Sequence, residues 1–170
     1  MFLVTFFNCR LPLTEKLAPS TSDFSSSLGL YGSIFVISDS NVRVCPADIR
    51  QTLALFDSDR VGCVSNLFIG SEGRSLGGAL ESLHLLMFVV PGTVLAAGAG
   101  VPCVVGKSMA ITRGALEAIG GFDAFRLVLA EDQAIGLAVR GAGFDVRVSP
   151  VVVRNVLGSR SVWRAVDRQV

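Results

Sequence analysis

A run of four apolar residues, Ile34-Phe35-Val36-Ile37, breaks directly into the polar stretch Ser38-Asp39-Ser40-Asn41. Three of the four are β-branched, and no polar residue alternates with them. Such a run predicts a strand buried on both faces, and a strand of that kind needs helices on either side of its sheet. The chain supplies them. Pro46 suits the first turn of a helix, with Asp48 near the positive end of its dipole and Ile49, Leu53 and Phe56 on one face. Residues 61–69 read as a second strand. Residues 77–88 have helical spacing, with Leu80, Leu83 and Met87 as an apolar stripe. Residues 103–106 resemble a strand end. Thr112 can cap a short helix over 113–119 that Gly120-Gly121 stops. Another helix is predicted from Glu131-Asp132 to Gly141, then a strand over 144–153, and Ser159 or Ser161 opens a last helix. Strands alternating with helices define an α/β class with a mostly parallel, Rossmann-like sheet flanked by helices. Residues 1–29, with the polar run 20–27, read as an irregular segment, and 30–170 as the folded domain.

The 170 residues suffice for one domain with a core of its own. The chain is 51% hydrophobic and only 17% charged, with a mean hydropathy of +0.59. A net charge of +1 excludes a basic nucleic-acid binder. This apolarity fits a deeply buried sheet or a surface resting on lipid. Residues 83–106 are long enough to span a bilayer, but Pro91, Gly92, Gly98, Gly100 and Pro102 interrupt them. A buried or interfacial segment is therefore expected there, and not one regular helix. Cys9, Cys45, Cys63 and Cys103 show no C-x-x-C spacing, and His84 is the single histidine, so no zinc site is expected. The cysteines suit a reducing, cytosol-facing domain.

Asp39 lies just past the carboxyl end of the first apolar strand, where ligands bind in open α/β sheets. Its carboxylate can hold a divalent cation bridging a diphosphate. It equally suits an Asx turn before the Pro46 helix. Asn41 would project to the same side if the chain stays extended, as a weaker oxygen ligand or a sugar contact. Glu131 and Asp132 sit where a helix dipole favours carboxylates. They also suit a general base that takes the proton of an attacking hydroxyl. Arg164, Arg168 and Gln169 form either a solvated face or a set of donors for a departing diphosphate. Ser65 and Ser108 lack the context of a hydrolase elbow. Residues 70–73 read as a turn, and Asp57 and Asp59 as loop carboxylates.

Several stretches together resemble one family. These are Val36-Ile37-Ser38-Asp39-Ser40-Asn41-Val42-Arg43-Val44, Ala79-Leu80-Glu81, Cys103-Val104-Val105-Gly106-Lys107-Ser108-Met109, Leu116-Glu117-Ala118-Ile119-Gly120-Gly121-Phe122 and Leu129-Ala130-Glu131-Asp132. Arg140-Gly141 and Asn155 follow in the same order. The resemblance runs from about residue 34 to 170. It is to ceramide glucosyltransferases and their bacterial relatives, including glycosyltransferases associated with hopanoid biosynthesis.

That resemblance implies a GT-A fold, a UDP-sugar donor and a membrane-lipid hydroxyl as acceptor, with inversion at the anomeric carbon. It implies Asp39 as ligand of Mg2+ or Mn2+ and of the UDP, with Asn41 beside it. Asp132 becomes the catalytic base with Glu131 as its neighbour, and Arg168 and Gln169 lie on the donor side. It also implies a membrane-associated parent whose catalytic domain faces the cytoplasm. Arg168 falls where the family's Gln/Arg-x-x-Arg-Trp motif begins. The motif's Arg-Trp, the family's uridine-binding strand and its transmembrane helices have no counterpart in residues 1–170. On that comparison the chain is truncated at both ends, and in isolation it is expected not to turn over substrate. A non-catalytic remnant, a polysaccharide-synthase-like GT-A domain and an unrelated α/β binding domain remain open as alternatives.

Overall fold

The computed structural model describes residues 2–7, 34–71 and 75–157. Among these, six strands form one sheet: β1 (Phe2–Phe7), β2 (Ile34–Asp39), β3 (Val42–Arg43), β4 (Val61–Ser71), β5 (Ser108–Thr112) and β6 (Asp145–Val156). Their order across the sheet is β1-β2-β5-β4-β6-β3. The Ile34 run is the interior strand expected of it, with Phe35, Val36 and Ile37 all buried. The α/β class holds, but the sheet is mixed and not mostly parallel. Only β4 and β6 pair in parallel, and the other four neighbouring pairs are antiparallel. An apolar run reports burial on two faces, and burial carries no information about the direction of the neighbouring strand.

The amino-terminal stretch also departs from expectation. Phe2–Phe7 is a strand paired antiparallel with the whole of β2, from Phe2 opposite Asp39 to Phe7 opposite Ile34. Its β-branched and aromatic residues favour a pleated edge. The polar run 20–27 and the helix expected from Ser159 or Ser161 lie outside the described residues.

Helices cover the sheet much as their capping residues predict. α1 (Pro46–Leu53) starts at its proline, and Asp48 accepts the Cys45 N–H at 2.9 Å. Thr52, and not the Ile49 face, is its fully buried residue, and Phe56 lies beyond its end. α4 (Arg113–Ala118) is capped by the Thr112 hydroxyl, which accepts the Ala115 N–H. Gly120 and Gly121 end it at positive φ, a backbone state that costs a side chain dearly. α5 runs over Glu131–Gly141. Ala115 of α4 and Ile135 and Val139 of α5 pack on Phe35, Ile37, Cys63, Met109 and Ile111 to form the main core. Each fully buried aliphatic there contributes about 1.5–3 kcal/mol.

The segment between β4 and β5 holds the largest surprise. α2 (Leu76–His84), a π turn at Leu85–Val89 and α3 (Val90–Gly98) make one continuous helix, despite Pro91 and Gly92. Proline lacks an N–H and crowds the preceding turn. The π turn lies immediately before it, and there Val90 N–H reaches back to the Leu85 carbonyl. This wider turn lets the helix pass the proline. Leu85 and Val89 face a second cluster around Phe68, Val151 and Val153. The expected stripe of Leu80, Leu83 and Met87 points outward, at 46%, 53% and 56% exposure, as an interfacial segment would place it. Residues 103–106, expected as a strand end, are not part of a strand: 103–105 have no regular structure, Gly106 opens a turn, and β5 begins only at Ser108.

Candidate active site

The carboxyl ends of β2, β4 and β6 lie at one side of the sheet, together with the start of β5. Asp39 is the last residue of β2, and Lys107 precedes the first residue of β5. Because the two strands run antiparallel, these residues stand opposite each other, and Asp39 N–H donates to the Lys107 carbonyl at 3.1 Å. Lys107 Nζ in turn donates to Asp39 Oδ2 in an ion pair. Asp39 Oδ1 accepts the Ser40 N–H at 2.9 Å. The hydrogen bond from Lys107 is the main reason the Asp39 carboxyl lies below its ordinary value of 3.8; partial burial opposes it, and the lysine charge and Ser40 N–H add to it.

Buried side chains pin the turn Gly106-Lys107 from both directions. Before it, Ser65 Oγ accepts the Val105 N–H at 2.9 Å. After it, Ser108 Oγ accepts from Asn66 Nδ2 at 2.9 Å, and Asn66 Oδ1 accepts from Thr52 at 2.9 Å. Ser65, Asn66, Ser108 and Thr52 are each at most 3% exposed. Satisfied polar groups in a dry interior hold their geometry tightly.

Asp132 is the second residue of α5. Its Oδ2 accepts the Gly106 N–H and its Oδ1 accepts the Gln133 N–H, both at 2.8 Å. Three local features place it. Ala130, just before the helix, holds a left-handed φ of 58° that re-aims the chain. Gln133 Nε2 donates to the Pro102 carbonyl at 3.2 Å. Gly136 lets α5 approach so closely that an added Cβ would lie 2.8 Å from Val104 Cγ2 and 3.1 Å from the Pro102 carbonyl oxygen. Gly106 is similarly tight, with a virtual Cβ 3.3 Å from Asp132 Cβ.

Asp132 and Glu131 line a cavity of about 420 Å3 whose remaining wall is chiefly apolar, from Ile37, Met109, Phe122, Phe125 and Ile135. Leu127 and Leu129, in the chain leading to α5, are almost fully exposed.

The fold thus links Asp39 and Asp132, far apart in sequence, through one two-residue turn. Glu131 lies beside Asp132, as the sequence requires. Asn41 does not follow the extended path assumed for it. Ser40 and Asn41 form a turn, and the Asn41 carbonyl accepts the Val156 N–H. Its side-chain Oδ1 is buried with no hydrogen-bond partner among the described residues, as is that of Asn155. Arg168 and Gln169 lie outside the described residues. Sequence reasoning missed Lys107, Gly106 and the Asn66–Ser108 support. A lysine following a glycine between two apolar runs was the available signal, but its partner lies 68 residues away.

Among the described residues no three His, Cys, Asp or Glu side chains converge as a metal cage. A cation that completes its shell with phosphate oxygens and water needs only one or two protein carboxylates. Asp39 and the orphaned amide oxygen of Asn41 are donors of that hard-oxygen type.

Residues 31–170 match the family model described as glycosyl transferase family 21. The match spans both carboxylates, the Gly106-Lys107 turn and every helix of the described domain. The mixed sheet flanked by helices is consistent with a GT-A domain, and the family's chemistry joins a nucleotide-sugar donor to an acceptor. The chain belongs to glycosyl transferase family 21.

Proposed function

We propose that this chain is the catalytic portion of a hexosyltransferase. It moves a sugar from UDP-glucose or UDP-N-acetylglucosamine to the hydroxyl of a membrane lipid such as ceramide or a hopanoid, inverting the anomeric centre. The observation that carries this reading is Asp132, a fixed carboxylate lining a cavity whose wall, apart from Glu131 and Arg126, is chiefly apolar. An acceptor with a hydrocarbon body and one reacting hydroxyl matches that pairing.

In this reading Asp132 accepts the hydroxyl proton while the hydroxyl oxygen bonds to the anomeric carbon. The bond from that carbon to the diphosphate breaks, and UDP leaves with the electron pair. Each Asp132 oxygen accepts one backbone N–H and keeps a further lone pair for the substrate. Glu131 stands beside the base. Asp39 and Asn41 would hold Mg2+ or Mn2+, which supplies positive charge to the diphosphate when bound. Arg168 and Gln169, by the resemblance alone, would donate charge-assisted hydrogen bonds to the diphosphate.

Membrane association rests on the helix Leu76–Gly98. It has 23 residues and a mean hydropathy of 1.6, long and apolar enough to cross a bilayer by length and composition, and none of its most apolar window is buried. Cys45, Cys63 and Cys103 are free thiols, which fits a catalytic domain facing the cytoplasm.

The test is transfer from radiolabelled UDP-glucose and UDP-N-acetylglucosamine to ceramide and hopanoid acceptors in lipid micelles, with UDP binding followed in parallel by calorimetry. It is run on residues 1–170 and on a longer protein that adds the family's uridine-binding strand and Arg-Trp motif, the variants being compared in the longer protein. Asp132→Asn is expected to cut transfer by about 10²–10⁴ while leaving UDP binding intact. Transfer indifferent to Asp132→Asn would sink the mechanism, and a protein without affinity for UDP would sink the donor assignment.

A further inference from the structure

We propose that Lys107 is a diphosphate-binding residue of the donor site. It is a movable counter-ion that neutralises Asp39 in the empty site and turns onto the diphosphate oxygens when donor and cation arrive. The proposal rests on the donor assignment just given for Asp39.

The local charge balance motivates it. This corner carries three carboxylates, Asp39, Glu131 and Asp132, all near the Gly106-Lys107 turn or the cavity beside it. An anionic diphosphate entering such a corner is repelled unless positive charge is already present. Arg126 also lines the cavity, but its side chain is 76% exposed and its ion-pair partner is Asp123, at 3.8 Å. Lys107 is the cation placed between the two carboxylate-bearing elements.

The division between fixed and movable parts supports an exchange. The Lys107 backbone is clamped: its carbonyl accepts the Asp39 N–H, Ser65 holds Val105 before it, and Asn66 holds Ser108 after it. Its side chain is not enclosed, with 27% of its area exposed. A four-carbon stem on a fixed turn can swing its ammonium between neighbouring acceptors without moving the fold. Three donors let it leave one carboxylate oxygen and engage phosphate oxygens.

Asp39 cannot serve Lys107 and a divalent cation equally through the same Oδ2. Binding of a cation at Asp39 therefore competes with the lysine, and the displaced ammonium has the diphosphate as its next acceptor. The exchange puts a second positive charge on the leaving group, and Asp39 is not left uncompensated at any stage.

The experiment measures two affinities on the same variants: UDP in the presence of Mn2+ by calorimetry, and Mn2+ alone by electron paramagnetic resonance. Lys107→Met is expected to weaken UDP by about tenfold or more, the effect of losing one charged hydrogen bond, and to tighten Mn2+ alone because Asp39 loses its competitor. A purely structural lysine would weaken both or neither. Lys107→Arg should recover most of the UDP affinity, and circular dichroism establishes that each variant is folded. In the double variant Lys107→Met/Asp39→Asn the gain in Mn2+ affinity should vanish. UDP binding by Lys107→Met equal to wild type, or Mn2+ binding unchanged or weakened, overturns the proposal. Wild-type protein that binds no UDP overturns the donor assignment itself, and this proposal with it.

Discussion

The backbone N–H of Gly106 donates to Asp132 Oδ2 at 2.8 Å, and the next residue in the chain, Lys107, pairs with Asp39. One turn therefore sets the position of the candidate base on α5 and supplies the counter-ion of the donor-side carboxylate on β2. The bond to Gly106 is charge-assisted, so it should contribute to stability as well as to placement. Asp132→Ala is expected to lower unfolding stability by about 1.5–3 kcal/mol, and Asp132→Asn, which keeps an acceptor oxygen, by clearly less. Urea midpoints check this; equal losses for the two variants would show that the bond contributes nothing.

Gly136 sets how closely α5 approaches the Pro102–Val104 segment. Gly136→Ala places a methyl group in the space of Val104 and against a backbone carbonyl. The expected cost is about 1–3 kcal/mol, as for other overpacked sites, despite the higher helix propensity of alanine. Thermal melts give the answer, and a raised melting temperature would contradict the packing described.

Ala130 occupies a left-handed conformation immediately before Glu131. That state costs a side-chain-bearing residue about 1–2 kcal/mol, of which glycine would recover part after its own entropic cost of about 0.5–1 kcal/mol. Ala130→Gly should be neutral to slightly stabilising in denaturant titrations. A loss above about 1 kcal/mol would mean that φ is not positive there.

Burial without a charged partner pushes the Cys63 thiol up to about 12, from 9.0. It should resist iodoacetamide at pH 8 in the folded protein while the exposed Cys45 reacts, as peptide mass spectrometry would read out. The sign for stability follows. Between pH 9 and 12 the unfolded chain has lost the proton that the folded chain keeps, so stability falls as pH rises through that window. Cys63→Ala should flatten that part of the alkaline profile. Labelling of Cys63 at the rate of Cys45 would contradict its burial.

The outward face of the long helix bears Leu83, Met87 and Phe88 at 53%, 56% and 69% exposure. Each large apolar side chain moved from water into lipid contributes about 1.5–3 kcal/mol. Leu83→Lys/Phe88→Lys should therefore reduce partition onto neutral phosphatidylcholine vesicles by more than about tenfold. Flotation assays measure this, and unchanged partition would remove the face from the membrane contact.

Much of the local structure was legible before any coordinates. α5 runs from Glu131 to Gly141, Thr112 caps α4, Pro46 starts α1 and the Ile34 run is a buried strand. Each depends on interactions within a few residues: a hydroxyl reaching an N–H, a fixed proline φ, a glycine at positive φ. The positions of Asp39 and Asp132, the two carboxylates of the candidate site, at a strand end and a helix start were also legible, because sequence marks element ends well. Arg168 and Gln169 lie outside the described residues. The strand directions, the pairing of Phe2–Phe7 with β2, the outward turn of the Leu80 stripe and the union of Asp39 with Lys107 were decided by tertiary structure. The physical reason is the range of the interactions. Hydrophobic period fixes that a residue is apolar-facing, but not which distant strand or solvent receives it. An ion pair between residues 39 and 107 exists only because β2 and β5 lie antiparallel in register, with Ser38 opposite Ser108.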